Sequence, residues 1–367
     1  MLWTCPLTEA SAKAAAVDSR PEKKTKTRRL WTTIPGFAVS AFFLWRTLRV
    51  IPYQTLRSIR FAHPEWIAIL VLFLIVGYST RIYRWWLMMR PSGAPGFSVC
   101  GRVLLTSYAA NNVLPFRIGD FLRVFVYADD LGASSSTVLS TVILERLLDV
   151  FTLLTFLVVA LLGASGTIPP LHIFGHEIAV LRFALPILAL ASLGLVVFLF
   201  GATSLDALLR KILAKASPGP KLAKLEKWLL LTLDAVKQMS FITKAMMLVT
   251  SCAVWFCEGM IFVSTARLLG IGVGIRGPWL ALALSNLSYL LPSSPGAIGT
   301  FEYFAKLGMI SQGAPQAIAA VYGLLVHVIV LFVTTGAGGI AFLVHRSHQE
   351  SRRPLLEEIN KLPAELP

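Results

Sequence analysis

Three ionisable residues, Glu145, Arg146 and Asp149, stand eight to twelve residues into an apolar run that begins at residue 137. At that depth in a hydrocarbon layer a charge costs several kcal/mol unless it is paired or hydrated. Helical spacing puts Glu145 and Asp149 on one face at i and i+4, with Arg146 three residues before Asp149, so one guanidinium can bridge acids and still turn its fork toward a cavity. An ion pair that only locks helices together would explain them too. A transport path is favoured, because intramembrane charges of this kind usually mark one.

Two further groups have chemistry to offer. Arg117, Asp120 and Arg123 follow a break at Asn111, Asn112 and Pro115. Guanidinium groups bind phosphate bidentately, and a helix starting near Gly119 adds free backbone N–H groups for an anion. Simple positive flanking explains Arg123 equally well. A second break, Leu291-Pro292-Ser293-Ser294-Pro295-Gly296-Ala297-Ile298-Gly299, loses donors at Pro292 and Pro295 and gains unusual backbone angles at Gly296 and Gly299. Its freed carbonyls suit a headgroup or an ion. Glu302 lies one turn into the helix that follows, placed to pair with Arg146, to take a proton, or merely to favour a first helical turn. His327 and Glu258 sit in spans as candidate proton-relay groups, although a lone buried histidine is commonly a hydrogen-bonded core residue. His172 and His176 do not extend to HExxH and belong to a loop, so no metal site is expected. Walker, GxSxG and GxGxxG motifs are all missing, which removes support for ATP hydrolysis, soluble hydrolase chemistry or a cofactor.

The elements that must position these residues belong to a membrane. Of 367 residues 56% are hydrophobic and 14% charged, and the mean hydropathy is +0.70, so a soluble fold would leave large apolar areas facing water. The net charge of +15 comes from bases set between apolar runs rather than gathered in one basic domain, which argues against nucleic acid. Cys5, Cys100, Cys252 and Cys257 show no CxxC spacing, and neither disulfides nor a metal site are expected. Residues 1–30 carry seven bases and no signal-peptide core, and are expected to form a cytoplasmic tail.

About twenty apolar residues span the hydrocarbon core, which predicts full crossings near 31–51, 65–88, 137–163, 180–202, 244–269 and 315–345. The broken runs 98–116 and 278–311 are expected to be re-entrant, since such backbone survives at membrane depth only inside protein or beside a polar cavity. With the basic tail inside, the outward segments 52–64, 164–179 and 270–277 hold only Arg57, Arg60 and Arg276, while eight bases fall between Arg210 and Lys244 on the inner side. Both termini are then cytoplasmic, and 347–367 forms a second tail. The leucines of 206–240 recur at helical spacing among lysines, the pattern of an amphipathic hairpin on the anionic inner leaflet.

The two breaks also align with each other. Leu114-Pro115 through Asp120-Phe121 matches Leu291-Pro292 through Phe301-Glu302, and Gly132-Ala133 and Gly313-Ala314 each open a long span. The same register sets Arg146 opposite His327. By the topology above, one unit enters from each side, an inverted repeat of the kind on which secondary transporters are built. The fold class is therefore an all-α polytopic membrane protein with about six full helices and two re-entrant elements.

The segments Asn112–Arg123, Glu145-Arg146-Leu147-Leu148-Asp149 and Leu291–Glu302 resemble the lysylphosphatidylglycerol synthase transmembrane, or flippase-like, family over residues 30–346. Asp120 departs from that pattern, which usually has Glu there. The resemblance implies transfer of lipid between leaflets: in the multiple peptide resistance factor a similar domain is implied to flip aminoacylated phosphatidylglycerol. Stand-alone members are linked to hopanoid or polyprenyl-linked glycolipids, which leaves the substrate open. The residues after 346 are few and polar, so the aminoacyl-transferase activity of the family name is not expected here. The expectation is an inner-membrane lipid transporter, not an enzyme, in which Arg117 and Arg146 meet the headgroup and Glu145, Asp149 and Glu302 pair or gate. A lipid-modifying enzyme and an accessory subunit stay open as alternatives. Membrane lipids are the expected partners, with a separate lipid synthase and a second copy of the chain as further candidates.

Overall fold

In the computed structural model the described residues are 23–58, 60–92, 95–162, 171–173, 176–178, 186, 190, 193–213 and 220–360. They form helices almost throughout: α1 (Lys23–Leu48), α2 (Tyr53–Ser58), α3 (Trp66–Met89), α4 (Phe97–Val113), α5 (Ile118–Phe125) and α6 (Ser135–Leu162) make up the first part. A ribbon of two three-residue strands follows, β1 (Leu171–Ile173) and β2 (His176–Ile178), antiparallel with Leu171 opposite Ile178. This small ribbon replaces part of the loop expected around His172 and His176. The second part holds α7 (Leu193–Phe200), α8 (Ala202–Leu213), α9 (Pro220–Gln238), α10 (Phe241–Leu268), α11 (Arg276–Leu287), α12 (Thr300–Ile310) and α13 (Gln316–Asn360).

Among the described residues three helices are long and apolar enough to cross a bilayer: α3, α10 and the Gln316–Gln349 stretch of α13. A fourth follows if α7 and α8, which meet at 92°, count as one bent span. The remaining expected crossings fall short of that length-and-composition measure for identifiable reasons. α6 has 28 residues, enough for about 42 Å, but its own Glu145, Arg146 and Asp149 interrupt the apolar run. α1 is diluted by Pro35, Arg46 and its threonines. The expected 180–202 crossing lies largely outside the described residues. Helix extends into both expected tails, α1 reaching back to Lys23 and α13 continuing to Asn360, and the rest of each tail lies outside the described residues.

The broken runs are short helices. α4, α11 and α12 have 17, 12 and 11 residues, or about 26, 18 and 16 Å, against a hydrocarbon thickness near 30 Å. Each break carries a proline at the start of a 3₁₀ turn, Pro115–Arg117 in one and Pro295–Ala297 in the other. Proline suits the first helical position, where its missing N–H is no loss. Two glycines are fixed by close packing. A Cβ on Gly119 would stand 1.9 Å from the Ser107 carbonyl oxygen of α4, and one on Gly299 2.1 Å from that of Ser40 in α1. Gly299 also has φ +97°, open to glycine and strained for other residues. Gly119 thus lets α5 seat closely on α4.

Two buried apolar cores stack along the bundle. One gathers Leu70, Leu74, Leu153, Phe262, Phe301 and Tyr322; the other gathers Trp85, Met88, Leu104, Val142, Leu148 and Leu233. On α3 the residues between the two are Arg81 and Arg84, and on α6 Asp149 lies between Leu148 and Leu153. The charged residues therefore occupy the level where the cores meet. The 206–240 hairpin packs more firmly than a surface-lying one: Leu233 and Val236 are fully buried in the second core, while Leu208 stays exposed. Asp206 and Asp234 pair with Lys237 at 2.8 and 2.7 Å, which ties α8 to α9.

Candidate functional site

The site starts from α6. Its Glu145 and Asp149, one turn apart and both buried, face α3, and Arg84 of α3 reaches both. The Arg84 Nη2 stands 2.8 Å from Asp149 Oδ1 and 3.7 Å from Glu145 Oε1, ionic contacts without hydrogen-bond alignment, while Nη1 donates to Ser251 Oγ of α10 at 2.9 Å. Arg123 of α5, also fully buried, donates to Glu145 Oε2 and to Asp120 Oδ1, each at 2.8 Å, with its guanidinium 5.1 Å from the Trp85 ring centre. Arg146 closes the circuit. It donates to Asp120 Oδ1 at 3.2 Å and to Asp149 Oδ2 at 3.5 Å. Tyr108 donates to Glu145 at 3.0 Å and Asn111 to Asp120 at 3.2 Å. Three arginines thus meet three carboxylates, so each buried charge is compensated.

The two breaks come together beside this network. The turn Pro115–Arg117 packs against the turn Pro295–Ala297, and Asn112 donates to the hydroxyls of Thr334 at 2.7 Å and Thr335 at 3.1 Å on α13. Between them lies a cavity of about 550 Å³, within the range of small-ligand sites. Its lining includes Asn111, Asn112, Pro115, Arg117, Arg146, Asp149, Pro292, Pro295 and Gly296, together with Phe37, Tyr78, Arg81, Tyr108, Trp255 and Tyr289. Asp120, Arg123 and Glu145 stand behind that wall and hold Arg146 in it.

Arg117 differs from the other arginines. Its backbone is left-handed at φ 52°, ψ 43°, which costs an L residue about 1–2 kcal/mol. Among the described residues it makes no ion pair; its guanidinium lies 5.6 Å from the Tyr289 ring centre and opens to the cavity. Arg81 lines the same cavity but is paired with Glu258 at 2.8 Å, between the rings of Tyr78 and Trp255. Counted through its ion pairs, the wall carries five arginines and four carboxylates.

One expected pairing is wrong. Glu302 does not meet Arg146: its Oε2 accepts the Gly299 N–H at 2.6 Å, capping its own helix, and its Oε1 lies 2.9 Å from His327 Nδ1. The His327 ring stacks on Phe301, with centroids 4.2 Å apart. The break that positions Glu302 turns its carboxylate back onto the helix end, a preference for acids at helix N-termini that spacing alone could not rank above a long-range partner. The two candidate relay residues also part company, Glu258 going to Arg81 and His327 to Glu302.

Arg81 and Arg84 are not among the sequence candidates, though they fall inside the 65–88 run, where a charge carries the same message as Glu145. The cavity aromatics Tyr78, Tyr108, Trp255 and Tyr289 had no local signal, because four elements supply them.

The family model for the lysylphosphatidylglycerol synthase TM region matches residues 34–338. The chain belongs to that family. Its matched region contains both breaks, the α6 charges and every cavity-lining residue named above. As a member of the lysylphosphatidylglycerol synthase TM family with apolar helices of spanning length, the chain is a multi-pass membrane protein with a membrane-lipid role. No curated protein and no solved structure matches it.

Proposed function

We propose that the protein is a flippase of the cell membrane, moving an amphipathic lipid between leaflets while the headgroup crosses through the cavity and the tails stay in hydrocarbon. The observation that carries this reading is the cavity between the two broken segments, with arginines in its wall and a balanced ion-pair network behind them. Carrying a headgroup through hydrocarbon costs several kcal/mol without polar partners, and Arg117, Arg146 and the tyrosines supply them.

The order helix, proline turn, short helix, long helix occurs twice, as α4–α5–α6 and α11–α12–α13. This favours an inverted repeat with both termini and the α8–α9 hairpin on the cytoplasmic side, six crossings in all, and two re-entrant units meeting near the midplane. In this reading no bond is made or broken. The breaks move, unpaired Arg117 meets the headgroup phosphate, and Arg146 stays with its acids and lends its charge from the wall. A second copy of the chain or a separate lipid synthase would dock outside the cavity.

The test is translocation of tail-labelled phospholipid in proteoliposomes, read as loss of fluorescence to a membrane-impermeant quencher. The purified protein should expose inner-leaflet lipid, and Arg117→Asn should slow it. Lipid that copurifies with the protein but never changes leaflet would instead make it a lipid-holding subunit.

A further inference from the structure

We infer that the cavity selects a headgroup bearing one net negative charge, held by Arg117 and by the indole N–H of Trp255. The inference rests on the transport reading above and specifies the substrate of the same site.

The first observation is the charge count. Arg81 is paired with Glu258, and Arg84, Arg123 and Arg146 share Asp120, Glu145 and Asp149. Only Arg117 brings a guanidinium to the cavity with no ion pair among the described residues. The next carboxylate, Glu302, is held by His327 and the Gly299 N–H and is not part of the lining. A singly charged phosphodiester neutralises the surplus. A phosphomonoester would need a second arginine drawn from its acid, leaving a buried carboxylate uncompensated, and that loss outweighs the gain. A headgroup with net positive charge meets the surplus as repulsion.

The second observation is independent of charge. Trp255 is 5% exposed and lines the cavity, and its Nε1 is a buried donor without a partner. A buried N–H left unpaired costs the desolvation of the group, and an acceptor oxygen of a ligand in the cavity would recover that cost. Arg81 already covers the ring face at 5.6 Å, which leaves the N–H edge as the polar edge of that side chain. A phosphodiester supplies both needs: an anionic oxygen for Arg117 and further acceptor oxygens for Trp255.

The experiment compares four tail-labelled lipids in the same proteoliposomes: phosphatidylglycerol, phosphatidylcholine, phosphatidic acid and the lysyl ester of phosphatidylglycerol. Phosphatidylglycerol should move about tenfold faster than the other three, a margin below the cost of losing one buried charge-pair partner. Arg117→Asn, whose side chain tolerates the left-handed backbone, should abolish that preference, and Arg117→Lys should retain most of it. Trp255→Phe keeps an aromatic ring, though a smaller one, and removes the donor, and should slow phosphatidylglycerol several-fold. Equal rates for all four headgroups with the wild-type protein would overturn the inference while leaving the transport reading intact. So would an unchanged preference in Arg117→Asn. Movement of none of the four would sink the transport reading itself.

Discussion

Arg123→Met tests the buried network most severely. The Arg123 side chain is fully buried and touches two carboxylates at 2.8 Å. At that distance and an effective dielectric near 20, its attraction to Glu145 is about 6 kcal/mol, opposed by several kcal/mol of desolvation for each ion. The intact pair is therefore modest in net value, but removing one partner leaves the other charge buried. Asp120 would keep Arg146 and Asn111, and Glu145 would keep Tyr108 and a looser Arg84 at 3.7 Å. That residual support places the loss at the lower end of the 3–5 kcal/mol typical of broken buried pairs, about 3 kcal/mol. Arg210→Met is the control: that side chain is 54% exposed, and its surface pairs with Asp206 and Asp234 contribute little. Reversible unfolding in mixed micelles reads both. Adding Glu145→Met to Arg123→Met restores the balance, two arginines facing two acids, and should recover much of the loss. An Arg123→Met as mild as Arg210→Met, with no recovery in the double variant, would show that these contacts do not act as a network.

Other expectations follow from single contacts. Gly299→Ala and Gly313→Ala carry the same kind of backbone penalty, at φ +97° and +90°, but only the first drives a Cβ into the Ser40 carbonyl. Expression and thermal stability should fall clearly for Gly299→Ala and little for Gly313→Ala; equal effects would mean that α1 is not seated on the second break. Glu302→Gln and His327→Gln should be non-additive in unfolding free energy, whereas Glu302→Gln and Arg146→Gln should add, because Glu302 partners His327 and not Arg146. Cysteines at 210 and 224 should resist an impermeant thiol reagent applied outside intact cells, and labelling there would reverse the proposed topology.

The parts of the site that the sequence reveals are those where a residue contradicts its surroundings. Glu145 and Asp149 stand out against leucines, and Pro115, Pro292 and Pro295 cannot continue a ladder, so both the charged helix and the breaks are legible from composition and spacing. Arg84 contradicts its surroundings as strongly, but near the end of a run the positive-inside rule offers a ready explanation that conceals a buried partner. The same rule explains Arg123 as readily as function does, and Arg123 is fully buried. Pairing is harder to read. Whether Glu302 faces Arg146, His327 or its own backbone depends on which way a short helix is rotated after an irregular turn, and neither periodicity nor hydropathy constrains that rotation. The aromatic wall is hidden for a related reason, since Tyr78, Tyr108, Trp255 and Tyr289 become neighbours only when α3, α4, α10 and the turn after α11 have packed.

The central claim is that lipid passes between the two breaks. In a background without native cysteines, Asn112→Cys and Gly296→Cys would place a thiol on each break: a Cβ at 296 lies 3.9 Å from the Asn112 Cα, and because Gly296 has φ +65° the uncrosslinked double variant, not the wild type, is the reference for backbone strain. Lipid translocation in proteoliposomes is then measured before oxidation, after it, and after reduction. The account expects oxidation to stop translocation and reduction to restore it; a fully crosslinked protein that moves lipid at the uncrosslinked rate would contradict it.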